Sequence, residues 1–251
     1  QNPLRASLID DPLFLRRNTR DNAPAIVNVE LVEGDKVDVF VAAKGGGSEN
    51  KAQFAALNPA DNVADWVVDT VATLGAGWCP PGVLGIGVGG TSEKAMLLAK
   101  EALMEPLDMT DLRRRGPTSK LEELRLEICD RVNALGIGAQ GLGGATTVLD
   151  VKIRTFPTHA ASMPVGLIPN CAANRHIHFT LDGSGPAVFE APDLDDWPAD
   201  IAAKAGGHMT RVSLDGLTKD AVAAFLPGQK LLLSGTLLTG RDAAHRRLVA
   251  L

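Results

Sequence analysis

The sequence predicts a mixed α/β fold, with a large first domain at residues 1–208 and the start of a second domain at residues 209–251. Short apolar runs of strand length alternate with segments in which apolar residues recur every three or four positions, the period of a helix. Clusters of glycine and proline separate these runs. One such cluster, AGG at residues 205–207, precedes a new strand–helix–strand pattern and marks the boundary.

Strands are predicted where apolar runs are bounded by turn residues. They lie at residues 27–31, 36–42, 83–88, 147–156, 177–181, 187–190, 212–214 and 230–234. EGD at residues 33–35 separates the first two runs, and DGSG at residues 182–185 separates another two. Both pairs are therefore expected to be hairpins.

Helices are predicted where an apolar stripe coincides with a start or stop signal. A Thr-Ser pair, for example, precedes the second helix and can cap it. The predicted helices lie at residues 62–74, 93–103, 119–135 and 218–225, with a fifth beginning after residue 242. Loops or irregular chain are expected at residues 44–51, 113–117 and 157–175.

Composition excludes several classes of function. The chain has 251 residues and a formal net charge of −5, so it offers little positive charge for the phosphates of a nucleic acid. No apolar run approaches the roughly 18 residues of a membrane helix, and no signal peptide is visible. Three cysteines far apart in the sequence do not suggest a disulfide framework, which favours the reducing cytoplasm.

Two of the cysteines stand in backbone that is constrained but is neither helix nor strand in the predicted pattern. Cys79 precedes Pro-Pro-Gly, and Cys171 lies in IPNCAANR. Such positions can aim thiolates at an iron–sulfur cluster and surround its sulfurs with backbone N–H groups. Cys129 instead lies within a predicted helix. For each cysteine, a small buried hydrophobic side chain remains the alternative interpretation.

Other candidates are weaker when each is taken alone. The KGGGS run at residues 44–48 could hold an anion with backbone N–H groups, but it lacks the ending of a Walker loop. The glycines at residues 85–90 lie within a strand, which disfavours a dinucleotide site. His159 follows a strand and precedes Cys171, and it could be either catalytic or structural. Arg241 lies at a strand-to-helix junction, where it could bind a carboxylate or form a surface ion pair.

Several strings together resemble the class I fumarate hydratases, a family that includes the L(+)-tartrate dehydratases. In chain order they are LRAS (4–7), AKGGGSENK (43–51), CPP (79–81), GGTS (89–92), LGIGAQ (135–140), HAAS (159–162), CAANR (171–175), LSG (233–235) and TGRDAAH (239–245). Each string is modest by itself, but the set follows one order along nearly the whole chain.

The resemblance implies a 4Fe-4S cluster held by three cysteines, with one iron left open as a Lewis acid for the reversible hydration of fumarate to L-malate. Cys79 and Cys171 match two of the ligands, whereas Cys129 does not fit the pattern. The first ligand of the family lies in a CQDTG string upstream of LRAS. The sequence is therefore expected to be a partial chain, and a bound cluster is expected to be lost in air.

The resemblance also implies a substrate site. Arg5 and Arg241 match residues that bind the carboxylates of a small dicarboxylate, Gly46 and Gly47 match residues whose amides touch it, and His159 matches an active-site histidine. The implied architecture is an iron–sulfur-binding mixed α/β domain followed by a swivelling β/α domain, in a homodimer without nucleic-acid or membrane partners. The alternatives are an L(+)-tartrate dehydratase, or an inactive or regulatory fragment of such an enzyme.

Overall fold

The structure is a computed structural model in which residues 6–187, 189, 209–226, 229–237, 247 and 249 are described. The chain divides into two compact units, residues 1–39 with 180–187 and residues 40–179 with 188–251. Within the described residues, no helix is both long and apolar enough to cross a membrane.

The described elements alternate between strand and helix, as the fold class predicts. The strands are β1 (Val37–Ala43), β2 (Gln53–Leu57), β3 (Gly82–Gly89), β4 (Val148–Phe156), β5 (Met163–Cys171), β6 (Arg175–Leu181), β7 (Thr210–Ser213) and β8 (Leu231–Ser234). The helices are α1 (Gly46–Glu49), α2 (Val63–Thr73), α3 (Ser92–Ala102), α4 (Met109–Arg115), α5 (Lys120–Ala134) and α6 (Lys219–Ala223).

A four-stranded sheet in the order β2-β5-β3-β4 is the centre of the larger unit. Strand β3 runs parallel to β4 and antiparallel to β5, and β5 is also antiparallel to β2. Strands β1 and β6 form a separate two-stranded sheet, and β7 pairs in parallel with β8 around α6. The strand–helix–strand pattern predicted between residues 212 and 234 is thus confirmed.

The two faces of β3 pack against different helices. Leu84 and Ile86 are fully buried in the main core, which they share with residues of α2 and α5. The alternate residues face α3, where a side chain at Gly87 would bring its Cβ within 2.0 Å of the Ala95 carbonyl oxygen. Glycine therefore allows the close approach of α3. This packing explains why β3 is rich in glycine, and a nucleotide-binding role is not needed to explain it.

Side-chain caps mark the starts of two of the predicted helices. Asn62 caps α2 by accepting from the Ala64 and Asp65 amides, and Ser119 caps α5 by accepting from the Glu122 amide. Thr91 stands at the N-cap of α3, although its side chain makes no capping bond there. Because a cap acts within one turn of its helix, these starts can be predicted from the sequence alone.

The predicted hairpin at residues 27–42 is wrong. Residues 25–36 form no strand, and β1 pairs with β6 from a distant part of the chain. The Glu33–Asp35 turn signal is local, whereas β6 is a tertiary partner that local patterns do not show. For the second hairpin, β6 is confirmed; residues 187 and 189 are not in a strand, and residues 188 and 190 lie outside the described part.

Two segments predicted to be irregular are regular. The basic stretch 113–117 is largely the last turn of α4, whose start is held by Asp150 Oδ2, which accepts from the Asp108 and Met109 amides at 2.8 and 3.1 Å. KGGGSENK contains the single turn α1. The start of α4 depends on a contact with Asp150 from elsewhere in the chain. The turn α1 lies in a run of glycines, whose backbone geometry the sequence does not determine.

About half of residues 157–175, predicted to be irregular, is the central strand β5, whose two prolines disfavour a strand prediction. Pro164 pairs with Ala56 of β2, at a position that β3 does not reach. Pro169 pairs with Leu84 of β3, at a position that β2 does not reach. Each proline therefore lies where β5 has one neighbouring strand. A strand can do without an N–H at such a position.

The smaller unit is held largely by side chains that bind backbone. Asp11 accepts from the Phe14 and Leu15 amides, and Asn22 accepts from the Ser7 and Leu8 amides. A single antiparallel bridge joins Ile9 and Asn18. Large apolar side chains remain exposed between residues 26 and 32.

A buried ionic network ties α4 and α5 to β4. Asp150 is 1% exposed and Lys152 is 2% exposed. Arg125 contacts Asp150 at 3.1 Å and also pairs with Asp108, which in turn pairs with Lys152. Through these pairs the pKa of Asp108 is held at about 2, because the hydrogen bonds and charges of Arg125 and Lys152 outweigh its desolvation.

Replacing Asp150 by Ala would leave the buried charges of Arg125 and Lys152 to share the carboxylate of Asp108, and it would remove the acceptor at the start of α4. We expect a loss of about 3–5 kcal/mol in the free energy of unfolding, measured with urea. Asp130→Ala is the control, since Asp130 is 62% exposed in its pair with Arg113. That variant should lose less than about 1 kcal/mol. Equal losses in both would mean that the network does not act as described.

Candidate functional site

The candidate site is built where three strand ends meet. Strands β3 and β4 both begin at one edge of the sheet and β5 ends there, so Gly82 is paired with Val148 on one side and with Cys171 on the other. Cys79 is three residues before Gly82, which limits its Cα to about 11 Å from the Gly82 Cα. The strand register therefore brings the two predicted cluster cysteines to the same edge.

Cys79 is held in a turn that its neighbours stabilise. Its φ is +61°, a left-handed conformation that is uncommon for a residue with a side chain. The Cys79 amide donates to the Ala76 carbonyl at 2.9 Å, and the Gln140 amide donates to the Pro80 carbonyl at 2.7 Å. The glycine-rich loop that carries Gln140 thus holds the Cys79 turn in place, and the thiol itself is half-buried.

Cys171 ends β5 and begins a tight turn. Its carbonyl accepts from the Asn174 amide at 3.1 Å, and the Asn170 side chain donates to Asn174 Oδ1 at 2.7 Å. The Cys171 thiol is half-buried, like that of Cys79. Both side chains are accessible enough to bind a group at this edge.

The predicted substrate glycines lie next to the Cys79 turn. Helix α1 packs against β5, and a Cβ at Gly47 would lie 2.6 Å from the Gly77 carbonyl oxygen. A Cβ at Gly46 would meet nothing within 4 Å. The amides of this first turn have no partner within the helix, so they can bind an acceptor.

Ammonium groups accompany the cysteines at this edge. Lys44 forms an ion pair with Glu49 at 3.1 Å, and Lys100 of α3 pairs with the same carboxylate. The side chain of Lys51 passes close to Gly77, where a Cβ would lie 2.9 Å from Lys51 Cε. Burial lowers the pKa of Lys44, while the charges of Glu49 and Cys171 act to raise it.

Cys129 does not share this edge. It is buried in the main core on α5, where its sulfur accepts from Arg113 Nη2 at 3.5 Å and Asn133 Nδ2 at 3.6 Å. Burial raises the pKa of the Cys129 thiol. Its surroundings are those of a small buried side chain.

His159 lies at the opposite edge of the sheet. It follows β4 in the loop to β5, beside a cavity of about 420 Å³ that Gly90, Lys94 and Phe156 also line. Strand β3 separates the two edges by about 23 Å, at 3.3 Å per residue. Its Nδ1 accepts from the Ala161 amide at 3.1 Å. In the neutral ring, Nε2 then carries the proton.

The structure therefore brings together Cys79, Cys171 and Gly47, and it does not bring His159 to them within one chain. Arg5 and Arg241 lie outside the described residues. Among the residues that are described, no group of three His, Cys, Asp or Glu side chains is close enough to hold a metal ion. Two thiols at one edge nevertheless suit a cluster that takes its remaining ligand from elsewhere.

Several residues of this edge were not predicted from the sequence. Lys44 and Gln140 belong to strings that carry the family resemblance, but nothing in their local pattern indicates a role. Lys100 lies 51 residues from its partner Glu49 and has no sequence signal at all. Only the pairing of distant elements brings these side chains to the cysteines.

Comparison with known proteins gives matches along the chain. Residues 1–180 match the sequence model of a family described as "Fumarate hydratase (Fumerase)", and residues 183–251 match "Fumarase C-terminus". A Methanocaldococcus jannaschii protein, provisionally assigned as an L(+)-tartrate dehydratase subunit alpha, is 37% identical over 181 residues, which are 69% of this chain and 61% of the relative.

Two fumarate hydratases match over more of the chain. The aerobic class I fumarate hydratase of Escherichia coli strain K12 is 31% identical over 249 residues, 94% of this chain and 45% of the relative. Fumarate hydratase 2 of Leishmania major is 30% identical over 255 residues, 94% of this chain and 44% of the relative. The chain thus spans about half the length of these two relatives.

The contact between α1 and the Cys79 turn predicts different results for two adjacent glycines. Gly47→Ala would push its Cβ against backbone at Gly77, so α1 or the turn must shift, and we expect a loss of about 1–3 kcal/mol in the free energy of unfolding. Gly46→Ala meets open space and should change stability by less than about 1 kcal/mol. Urea unfolding of both variants is the measurement, and the reverse order would contradict the described packing.

Proposed function

The chain belongs to the class I fumarate hydratase family, and on that premise we propose that it supplies the cluster-binding part of a hydro-lyase that converts fumarate to L-malate. The observation that carries the proposal is the position of Cys79 and Cys171 at one edge of the sheet, next to Gly46 and Gly47. We expect the protein to work in the cytoplasm, where free thiols stay reduced.

Cys79 and Cys171 would hold a 4Fe-4S cluster as two of its three cysteine ligands. When bound, this cluster supplies an open iron that acts as a Lewis acid toward the substrate. The sequence contains no CQDTG string to provide the remaining ligand. Cys129 is unsuited to replace it, because its sulfur is enclosed in the core and already accepts from two side chains.

The residues of this chain would bind and orient the dicarboxylate. Arg5 and Arg241 would each bind a carboxylate through their paired N–H groups. The amides of Gly46 and Gly47 would contact the substrate. Such donors accelerate hydration if they bind more tightly as negative charge builds up on the carboxylate of the transition state.

The extent of the matches favours fumarate over tartrate. The similarity to the tartrate dehydratase relative covers 69% of this chain, whereas the fumarate hydratases of Escherichia coli and Leishmania major each cover 94%. The second family model also matches beyond residue 183. A single chain that continues into the second domain is typical of the fumarate hydratases.

His159 would take part in catalysis only if a second copy of the chain supplied it. Within one copy, His159 and Cys171 lie at opposite edges of the sheet. In the homodimer that the resemblance implies, His159 of one copy could reach the cysteines of the other. Its Nε2 would then hold or donate a proton at the substrate.

The ligand assignment predicts different behaviour for the three cysteines. After anaerobic reconstitution with iron and sulfide, we expect Cys79→Ser and Cys171→Ser to lose the brown visible absorption and at least about 100-fold of the fumarate hydration rate. Cys129→Ser should retain both. Activity of the unchanged protein should disappear on exposure to air.

Three other results would require a different conclusion. Loss of the cluster only in Cys129→Ser would assign the ligands differently. If the unchanged protein binds a cluster but neither hydrates fumarate nor dehydrates tartrate, the chain would be a regulatory fragment. If it prefers tartrate, its activity would be that of the L(+)-tartrate dehydratases.

The dimer proposal predicts complementation between two inactive variants. His159→Asn keeps its cysteines, and Cys79→Ser keeps its histidine, so a mixed dimer would contain one complete site. Unfolding and refolding the two proteins together should restore about a quarter of the activity, because half of the dimers are mixed and each has one of two sites working. Each variant refolded alone is the control, and no recovery in the mixture would mean that His159 does not act across copies.

A further inference from the structure

Lys44 is a nearly buried lysine to which the proposed function assigns no role. Its side chain is 12% exposed. The ammonium donates to Ser48 Oγ at 3.2 Å and lies 3.1 Å from Glu49 Oε2, although that oxygen has no partner aligned for a hydrogen bond. Burying an ammonium is costly unless it is paired, so these contacts are what keep it charged.

One of these contacts holds the glycine loop. Ser48 is buried, and its hydroxyl donates to the Gly45 carbonyl at 3.1 Å while accepting from Lys44. The chain of bonds from Lys44 through Ser48 to Gly45 therefore constrains the backbone at Gly46 and Gly47. Loss of Lys44 would free the Ser48 hydroxyl and loosen that loop.

The charges around Lys44 do not cancel. Lys100 pairs with the same carboxylate, so the described ion pairs here contain two ammonium groups and one carboxylate. Helix α1, which carries Ser48 and Glu49, packs against β5, the strand that ends at Cys171. In a chain whose net charge is −5, these pairs have a local excess of positive charge. They lie where α1 packs against the strand that ends in a proposed cluster ligand.

We propose that Lys44 is a positioning residue of the cluster site: it holds the glycine loop through Ser48 and keeps a fixed positive charge beside Cys171. This inference rests on the proposed function. A positive charge near an iron–sulfur cluster stabilises the reduced, more negative state, because charges interact strongly where water is excluded. Removal of the charge therefore shifts the reduction potential of the cluster to more negative values.

The experiment is an anaerobic redox titration of the reconstituted protein, in which the spectrum of the reduced cluster is the readout. Lys44→Met removes the charge and keeps the apolar stem, and its potential should be more negative than that of the unchanged protein. Lys44→Arg should restore the potential. Lys120→Met is the matched control, since Lys120 is 92% exposed on α5, and its potential should not change.

A second variant covers the case in which Lys44→Met fails to fold or to bind iron. Glu49→Gln removes the carboxylate and leaves the ammonium groups, so its potential should shift to less negative values. Two results would overturn this inference and leave the proposed function standing. One is an unchanged potential in Lys44→Met with full iron content, and the other is a shift of Glu49→Gln in the same direction as Lys44→Met. If the unchanged protein binds no cluster, the proposed function fails as well.

Discussion

The pairing of β5 with β3 is the constraint on which the candidate site depends. Because these strands are antiparallel, the end of β5 meets the beginning of β3, and Cys171 comes to lie opposite Gly82. A shift of one residue in this register would turn every side chain of β5 to the other face and bury the wrong set. The register that places the core also places the cysteine.

The same edge collects positive charge in an acidic protein. Lys44 and Lys51 come from the segment between β1 and β2, whereas Lys100 comes from α3, and their side chains converge through the packing of α1 against β5 and of α3 against β3. Thiolates, an iron–sulfur cluster and a dicarboxylate are all anionic. An edge of this charge suits all three, and a buried lysine has its largest effect there, since little water screens it.

The glycines of this protein serve packing and site geometry in different places. In β3 they let α3 approach the sheet, and Gly87 could not be replaced without moving backbone. In α1, Gly47 permits contact with the Cys79 turn, while Gly46 next to it faces open space. Close packing therefore explains why position 47 is glycine. It does not explain Gly46, where the open space would leave room for a ligand.

The sequence by itself determined the helices and strands whose causes are local. Asn62 and Ser119 cap α2 and α5 within one turn, and the apolar stripe of each helix lies on one face of a short segment, so both were predicted closely. The cysteines could be recognised because their neighbours form distinctive strings.

Only the tertiary structure decided which of the predicted residues meet. It made β5 a central strand despite Pro164 and Pro169, paired β1 with β6 in place of a local hairpin, and put His159 at the opposite edge from Cys171. The physical reason is that strand pairing joins residues far apart in the chain, and its energy depends on partners that no local window contains.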